Sequence, residues 1–95
     1  MKKSIICNDQ RCYICGTTAN LHKHHVMYGS ANRKKSEEDG LWVYLCGYHH
    51  NLSNDGVHFN KQLDKTLKNH AERKWMEYYG KSEQDFIKRY GKSYI

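Results

Sequence analysis

Leu41-Trp42-Val43-Tyr44-Leu45-Cys46-Gly47-Tyr48-His49-His50 is the stretch on which the reading of this chain turns. Its first six residues are apolar or aromatic, rich in β-formers and bounded by Gly40 and Gly47, the pattern of a buried strand. The strand runs straight into a Cys-x-x-His pair, Cys46 and His49, with His50 directly behind it. Upstream, Cys12-Tyr13-Ile14-Cys15-Gly16 repeats the two-residue gap, thirty residues before the second pair. Such a gap lets both side chains of a tight turn face one ion while backbone N–H groups turn toward the sulfurs. Cys12, Cys15, Cys46 and His49 can therefore close a three-sulfur, one-nitrogen tetrahedral shell around Zn²⁺. Four protein ligands leave no open position, so this zinc is expected to be structural and to supply folding energy. Cys7 falls outside the pattern and reads as a free thiol.

The chain has reason to need such a staple. It has 95 residues, 38% of them hydrophobic, enough for a single domain over 1–95 with a thin core. Its longest apolar run, Leu41–Cys46, is far too short to span a bilayer. Met1-Lys2-Lys3-Ser4-Ile5-Ile6-Cys7 has charge but no apolar stretch of the length expected of a signal peptide, so the expected compartment is the cytoplasm. In that reducing setting closely spaced Cys read as metal ligands before disulfides. Two Trp, eight Tyr and two Phe argue against a disordered tail. Sixteen Lys+Arg against ten Asp+Glu, a net +6, favour an acidic partner, nucleic acid first.

Working outward, Leu21-His22-Lys23-His24-His25-Val26-Met27 is the partner strand for Leu41–Cys46. Residues 28–40 are polar and Gly-flanked and read as a loop carrying a basic cluster, Arg33-Lys34-Lys35, followed after Ser36 by Glu37, Glu38 and Asp39. Asn54-Asp55-Gly56 is a turn signal. The best helix covers about 61–79, with Leu63, Leu67, Ala71, Trp75 and Tyr78 on one stripe, Asn60 as N-cap and Gly80 after its end. Lys61, Lys65 and Lys68 lie off the stripe and read as a solvated face. A second helix covers about 83–90, with Ser82 as N-cap, Asp85 completing a capping box and Gly91 behind it. Phe86, Ile87 and Tyr90 would pack it on the body.

His24 and His25 are adjacent on the first strand. If the second Cys-x-x-His pair ends a strand and opens a helix, His50 lies on its first turn and Asn54, four residues on, shares its face. A hairpin bearing His24 and His25, crossed by that helix, gathers these groups around one point. The combination of Cys-x-x-Cys, His-His, an apolar strand and Cys-x-x-His-His, over residues 12–58, resembles the HNH branch of the His-Me finger (ββα-metal) nucleases. The stretch from Asn32-Arg33-Lys34-Lys35-Ser36 to Cys46-Gly47-Tyr48-His49-His50-Asn51 is also similar to small HNH proteins of phages and prophages.

The resemblance implies an α+β fold: a small zinc-stapled ββα-metal core over about 7–58 with a C-terminal helical extension over about 60–95. It implies a DNA endonuclease in which His25 is the general base. His24, His50 and Asn54 would hold one catalytic divalent cation, and phosphodiester hydrolysis would leave 5′-phosphate ends. Many members carry His where this chain has Asn54. Asn is a neutral oxygen ligand, which tilts the preference toward Mg²⁺ or Mn²⁺. His58, beyond the turn, is a further candidate for the metal or a phosphate. Arg33, Lys34 and Lys35 are candidate DNA contacts. The family's central Asn falls here on Leu41, and Asn32 is the nearby candidate to stand in for it. The implied partners are DNA, no membrane, and a phage terminase or other packaging protein, in a bacterial or phage-infected cytoplasm. The competing expectation is a catalytically weak zinc-knuckle nucleic-acid-binding protein or packaging accessory that needs a partner.

Overall fold

The structure, a computed structural model, describes residues 3–50, 56 and 60–95. Its centre is a two-stranded antiparallel sheet of β1 (Leu21–His25) and β2 (Trp42–Cys46), with Leu21 opposite Cys46 and His25 opposite Trp42. Pairing continues one step beyond β1, where the Val26 N–H donates to the Leu41 carbonyl at 3.0 Å. Trp42, Val43, Leu45 and Cys46 are all buried, as a central strand of this composition requires. The segment preceding the first Cys pair docks on the same strand. Ser4 Oγ donates to the Trp42 carbonyl at 2.6 Å, and the Ile5 N–H donates to the Gly40 carbonyl at 2.9 Å.

Between the strands the chain forms a helix, α1 (Ser30–Asp39), where the sequence suggested a loop. The difference has a physical cause. The segment lacks the apolar stripe by which an amphipathic helix is recognised, because α1 is anchored by polar groups instead. Fully buried Ser36 donates to the Met27 carbonyl at 2.6 Å and accepts from the Met27 N–H at 3.2 Å, replacing the strand partner that Met27 lacks. Gly40 stops the helix in the left-handed conformation, φ 78°, where its N–H reaches the Ser36 carbonyl. A Cβ there would lie 2.5 Å from the Lys3 carbonyl oxygen, so position 40 requires glycine on both grounds.

After β2 a short helix, α2 (Gly47–His50), follows at once. The two C-terminal helices form where the sequence places them: α3 (Lys61–Tyr79) and α4 (Glu83–Tyr90). Asn60 caps α3 by accepting from the Leu63 N–H, and Ser82 and Asp85 form the reciprocal capping box of α4. Two side chains of α3 depart from expectation. Tyr79, not Tyr78, continues the buried stripe, because its hydroxyl finds the Asp39 carbonyl at 2.9 Å; Tyr78 is 60% exposed. Lys68 is not solvated: it pairs with Asp64 at 2.9 Å and lies 4.2 Å from the Tyr28 ring centroid.

An eight-residue helix such as α4 is marginal alone. Phe86 and Tyr90, 0% and 5% exposed, pack it against Trp75 with ring centroids 5.3 and 6.4 Å away. Burial of about 1.5–3 kcal/mol for a side chain like Phe86 outweighs the helix's intrinsic instability. Buried Glu72 closes the C-terminus onto α3, accepting from Ser93 Oγ at 2.7 Å and from the Tyr94 N–H at 2.6 Å. Among the described residues no helix is long and apolar enough to cross a membrane.

Candidate metal centre and histidine cavity

The two Cys-x-x pairs converge. Ligand atoms of Cys12, Cys15, Cys46 and His49 all lie within 4.8 Å of one another. Cys15 Sγ and Cys46 Sγ are 3.8 Å apart, Cys46 Sγ and His49 Nδ1 3.4 Å, and Cys12 Sγ and His49 Nδ1 3.8 Å. Zn–S bonds of about 2.3 Å and Zn–N bonds of about 2.0 Å in a tetrahedron place ligand atoms roughly 3.5–3.8 Å apart. The three short contacts, 3.4 to 3.8 Å, lie close to those edges, so the group can hold a metal ion such as zinc.

The backbone sets up this convergence. In the first pair the Gly16 N–H returns to the Cys12 carbonyl at 2.9 Å, and the Tyr13 N–H donates to the Tyr44 carbonyl at 2.8 Å, which fixes the turn to β2. Cys46 ends β2 and His49 follows on α2. Burial disfavours the Cys12 thiolate, but backbone donors of Cys15, Cys46 and Ile14 outweigh it and bring the thiol down to about 6. Burial pushes the Cys46 thiol up. Cys7 stands outside the group.

Beside this centre lies a cavity of about 190 Å³ lined by Lys23, His24, His25, Tyr28, Arg33 and His50. It brings together three histidines that the sequence singled out. His24, 3% exposed, and His50 have ring centroids 5.2 Å apart, so α2 carries His50 onto β1. His22 joins them from the same strand: its Nδ1 is 2.9 Å from His50 Nδ1. The sequence reading missed His22, although its spacing of two from His24 puts both on one face of β1. Asn54 and His58 lie outside the described residues.

His25 is held from α1. Its Nε2 is 2.8 Å from Glu37 Oε1, and Lys23 Nζ grips the same carboxylate at 2.7 and 2.9 Å. Lys23 first, and His25 second, hold the Glu37 carboxyl below the usual carboxylate range. Lys23 also lies 4.5 Å from the Trp42 ring centroid, which adds a cation–π contact to its position. No sequence pattern marked Glu37, because residues 23, 25 and 37 meet only when α1 folds back along the sheet.

The basic cluster divides. Arg33 lines the histidine cavity, and Lys34 is exposed. Lys35 turns away and donates to the Arg89 carbonyl at 2.7 Å. The acids after Ser36 are also spent internally, Glu37 on Lys23 and His25, Glu38 and Asp39 on Arg89. Asn32 does not approach His25: its amide donates to the Tyr90 carbonyl at 3.1 Å and braces α1 against α4. Leu41 is fully buried and fills the core. Comparison with protein-family models, with curated proteins and with solved structures finds no match to this chain.

Proposed function

We propose that the protein is an HNH-type, metal-dependent endonuclease that hydrolyses DNA phosphodiester bonds. The observation that carries this reading is the cavity itself: His24, His25 and His50 open onto one space together with Arg33, directly beside a Cys₃His group. In this reading the Cys₃His group holds structural zinc and anchors both the end of β2 and the start of α2. His24 and His50, facing each other from strand and helix, would hold a catalytic Mg²⁺ or Mn²⁺ with Asn54 as the oxygen donor. Such a cation neutralises the scissile phosphate and the charge developing on the leaving 3′ oxygen.

The remaining work falls to the chain's own groups. His25 takes a proton from the attacking water as the general base. Arg33 offers a guanidinium whose planar fork suits a phosphate oxygen pair. The net charge of +6 assists the approach of a polyanion.

Conversion of supercoiled plasmid to nicked or linear form in Mg²⁺ or Mn²⁺ tests the reading, with His25→Ala run alongside. Cleavage by the parent and its loss, by roughly 10²-fold or more, in a folded, zinc-loaded His25→Ala supports it. Absence of cleavage by the parent in both metals sinks it. Leu41 favours a second reading, because a core leucine stands where the resembled family carries Asn. In that reading the protein binds nucleic acid, or serves a phage terminase or other packaging partner, and cuts only within a complex.

A further inference from the structure

Glu37 reaches His25 through the ring nitrogen Nε2, and the cavity is lined by His25 without Glu37. The carboxylate thus approaches from outside the cavity. Its place is fixed twice over. Ser36, its neighbour on α1, is locked to both backbone polar groups of Met27, and Lys23 holds both Glu37 oxygens. The three partners lie on β1 and α1 in an arrangement that does not depend on any ligand in the cavity.

An ionised carboxylate can only accept hydrogen bonds. At 2.8 Å from Oε1, Nε2 of His25 must therefore carry the proton. In a neutral imidazole the lone pair then resides on Nδ1. We propose that Glu37 is a positioning residue, holding His25 as the Nε2–H tautomer so that Nδ1 is the nitrogen that accepts a proton. Its catalytic consequence rests on the nuclease reading above; its effect on the tautomer does not. Lys23 assists by keeping a 38% exposed carboxylate ionised and in one orientation. Once His25 accepts a proton at Nδ1, the facing carboxylate stabilises the resulting imidazolium.

The test uses the full chain, zinc-loaded and labelled with ¹⁵N-histidine, at a pH where His25 is neutral. Long-range ¹H–¹⁵N correlation spectra distinguish a protonated from a lone-pair nitrogen within each ring, and His25→Gln assigns the signals. The parent is expected to show protonated Nε2 and lone-pair Nδ1 at His25. Glu37→Gln, whose amide can face the ring either way round, should average or invert that pattern, while Glu38→Gln leaves it unchanged. A protonated Nδ1 in the parent overturns the proposal, and so does a pattern that Glu37→Gln does not alter. Glu37→Ala gives the same readout if Glu37→Gln fails to fold, and an unaltered pattern in it equally overturns the proposal.

The kinetic arm is plasmid cleavage. In Glu37→Gln, kcat should fall roughly tenfold or more with KM within about twofold, since general-base catalysis contributes about 10²–10⁴. Unchanged kcat beside a changed tautomer overturns the positioning role. If Glu37→Gln alters the Nε2–H pattern of the parent and the parent cuts no DNA, the nuclease reading fails while Glu37's hold on the tautomer stands.

Discussion

The carboxylate of Asp39 accepts the indole N–H of Trp75 at 2.8 Å, tying the last residue of α1 to the C-terminal part of α3. Tyr90 donates to the same oxygen at 2.7 Å, and Arg89 pairs with both Asp39 oxygens. Burial first, and Asp39 second, push the Tyr90 hydroxyl far above its ordinary value, so it remains a donor. Asp39→Ala leaves the buried Trp75 N–H without its acceptor, Tyr90 with only the Lys35 carbonyl and Arg89 with only Glu38. It should cost roughly 2 kcal/mol, since an orphaned buried polar group costs about 1–3 kcal/mol and the partly exposed Arg89 pair adds less than about 1 kcal/mol. Urea denaturation followed by Trp fluorescence measures this; a loss below about 0.5 kcal/mol, the range of neutral surface changes, would show that Asp39 is not the hub.

The Cys₃His group should bind one zinc equivalent per chain and fold with it. Chelation, or Cys46→Ser, is expected to abolish both metal content and the folded far-UV circular dichroism signal, because structural zinc in small domains contributes about 10–16 kcal/mol of apparent binding energy. Cys7→Ser should retain full zinc. A Cys46→Ser protein that keeps stoichiometric zinc and its fold contradicts the ligand assignment.

Division of the basic cluster gives a contrast between neighbours on one helix. In the nuclease reading proposed above, Arg33→Ala should lower the slope of log affinity against log salt on duplex DNA by about 0.9, the loss of one phosphate contact. Lys35→Ala should leave the slope unchanged and lower stability instead, because Lys35 serves the Arg89 carbonyl. Equal slopes for Arg33→Ala and the parent would remove Arg33 from the DNA-facing surface.

Acid sensitivity of α4 follows from its cap. The Ser82 backbone N–H, and then the Ser82 hydroxyl, hold the Asp85 carboxyl below its ordinary value. A carboxylate whose folded value is depressed contributes stability above the unfolded value and loses it as pH falls through the folded one. Asp85→Asn should therefore melt below the parent at neutral pH, and the gap should close below the ordinary Asp range. A pH-independent gap in thermal melting temperature would mean that the charged cap contributes nothing.

How much was legible in the sequence depended on how local the signal was. Helices α3 and α4 were readable because the apolar repeat and the caps Asn60, Ser82 and Asp85 act within a few residues. The boundary between Tyr78 and Tyr79 was not, because both fall near the stripe and only the distant Asp39 carbonyl selects Tyr79. Helix α1 escaped for a related reason: its anchor is the polar Ser36–Met27 pair, which leaves no trace in hydrophobic periodicity.

Sequence alone determined the Cys12, Cys15, Cys46 and His49 group, since ligand type and a two-residue gap restrict geometry before any tertiary contact forms. It also marked His24, His25 and His50. Only the tertiary structure decided that His22 meets His50, that Glu37 and Lys23 converge on His25, and that Arg33 alone of its cluster lines the cavity. These contacts join charged and polar groups across separate elements, and their energies depend on distance and burial, which no local spacing specifies.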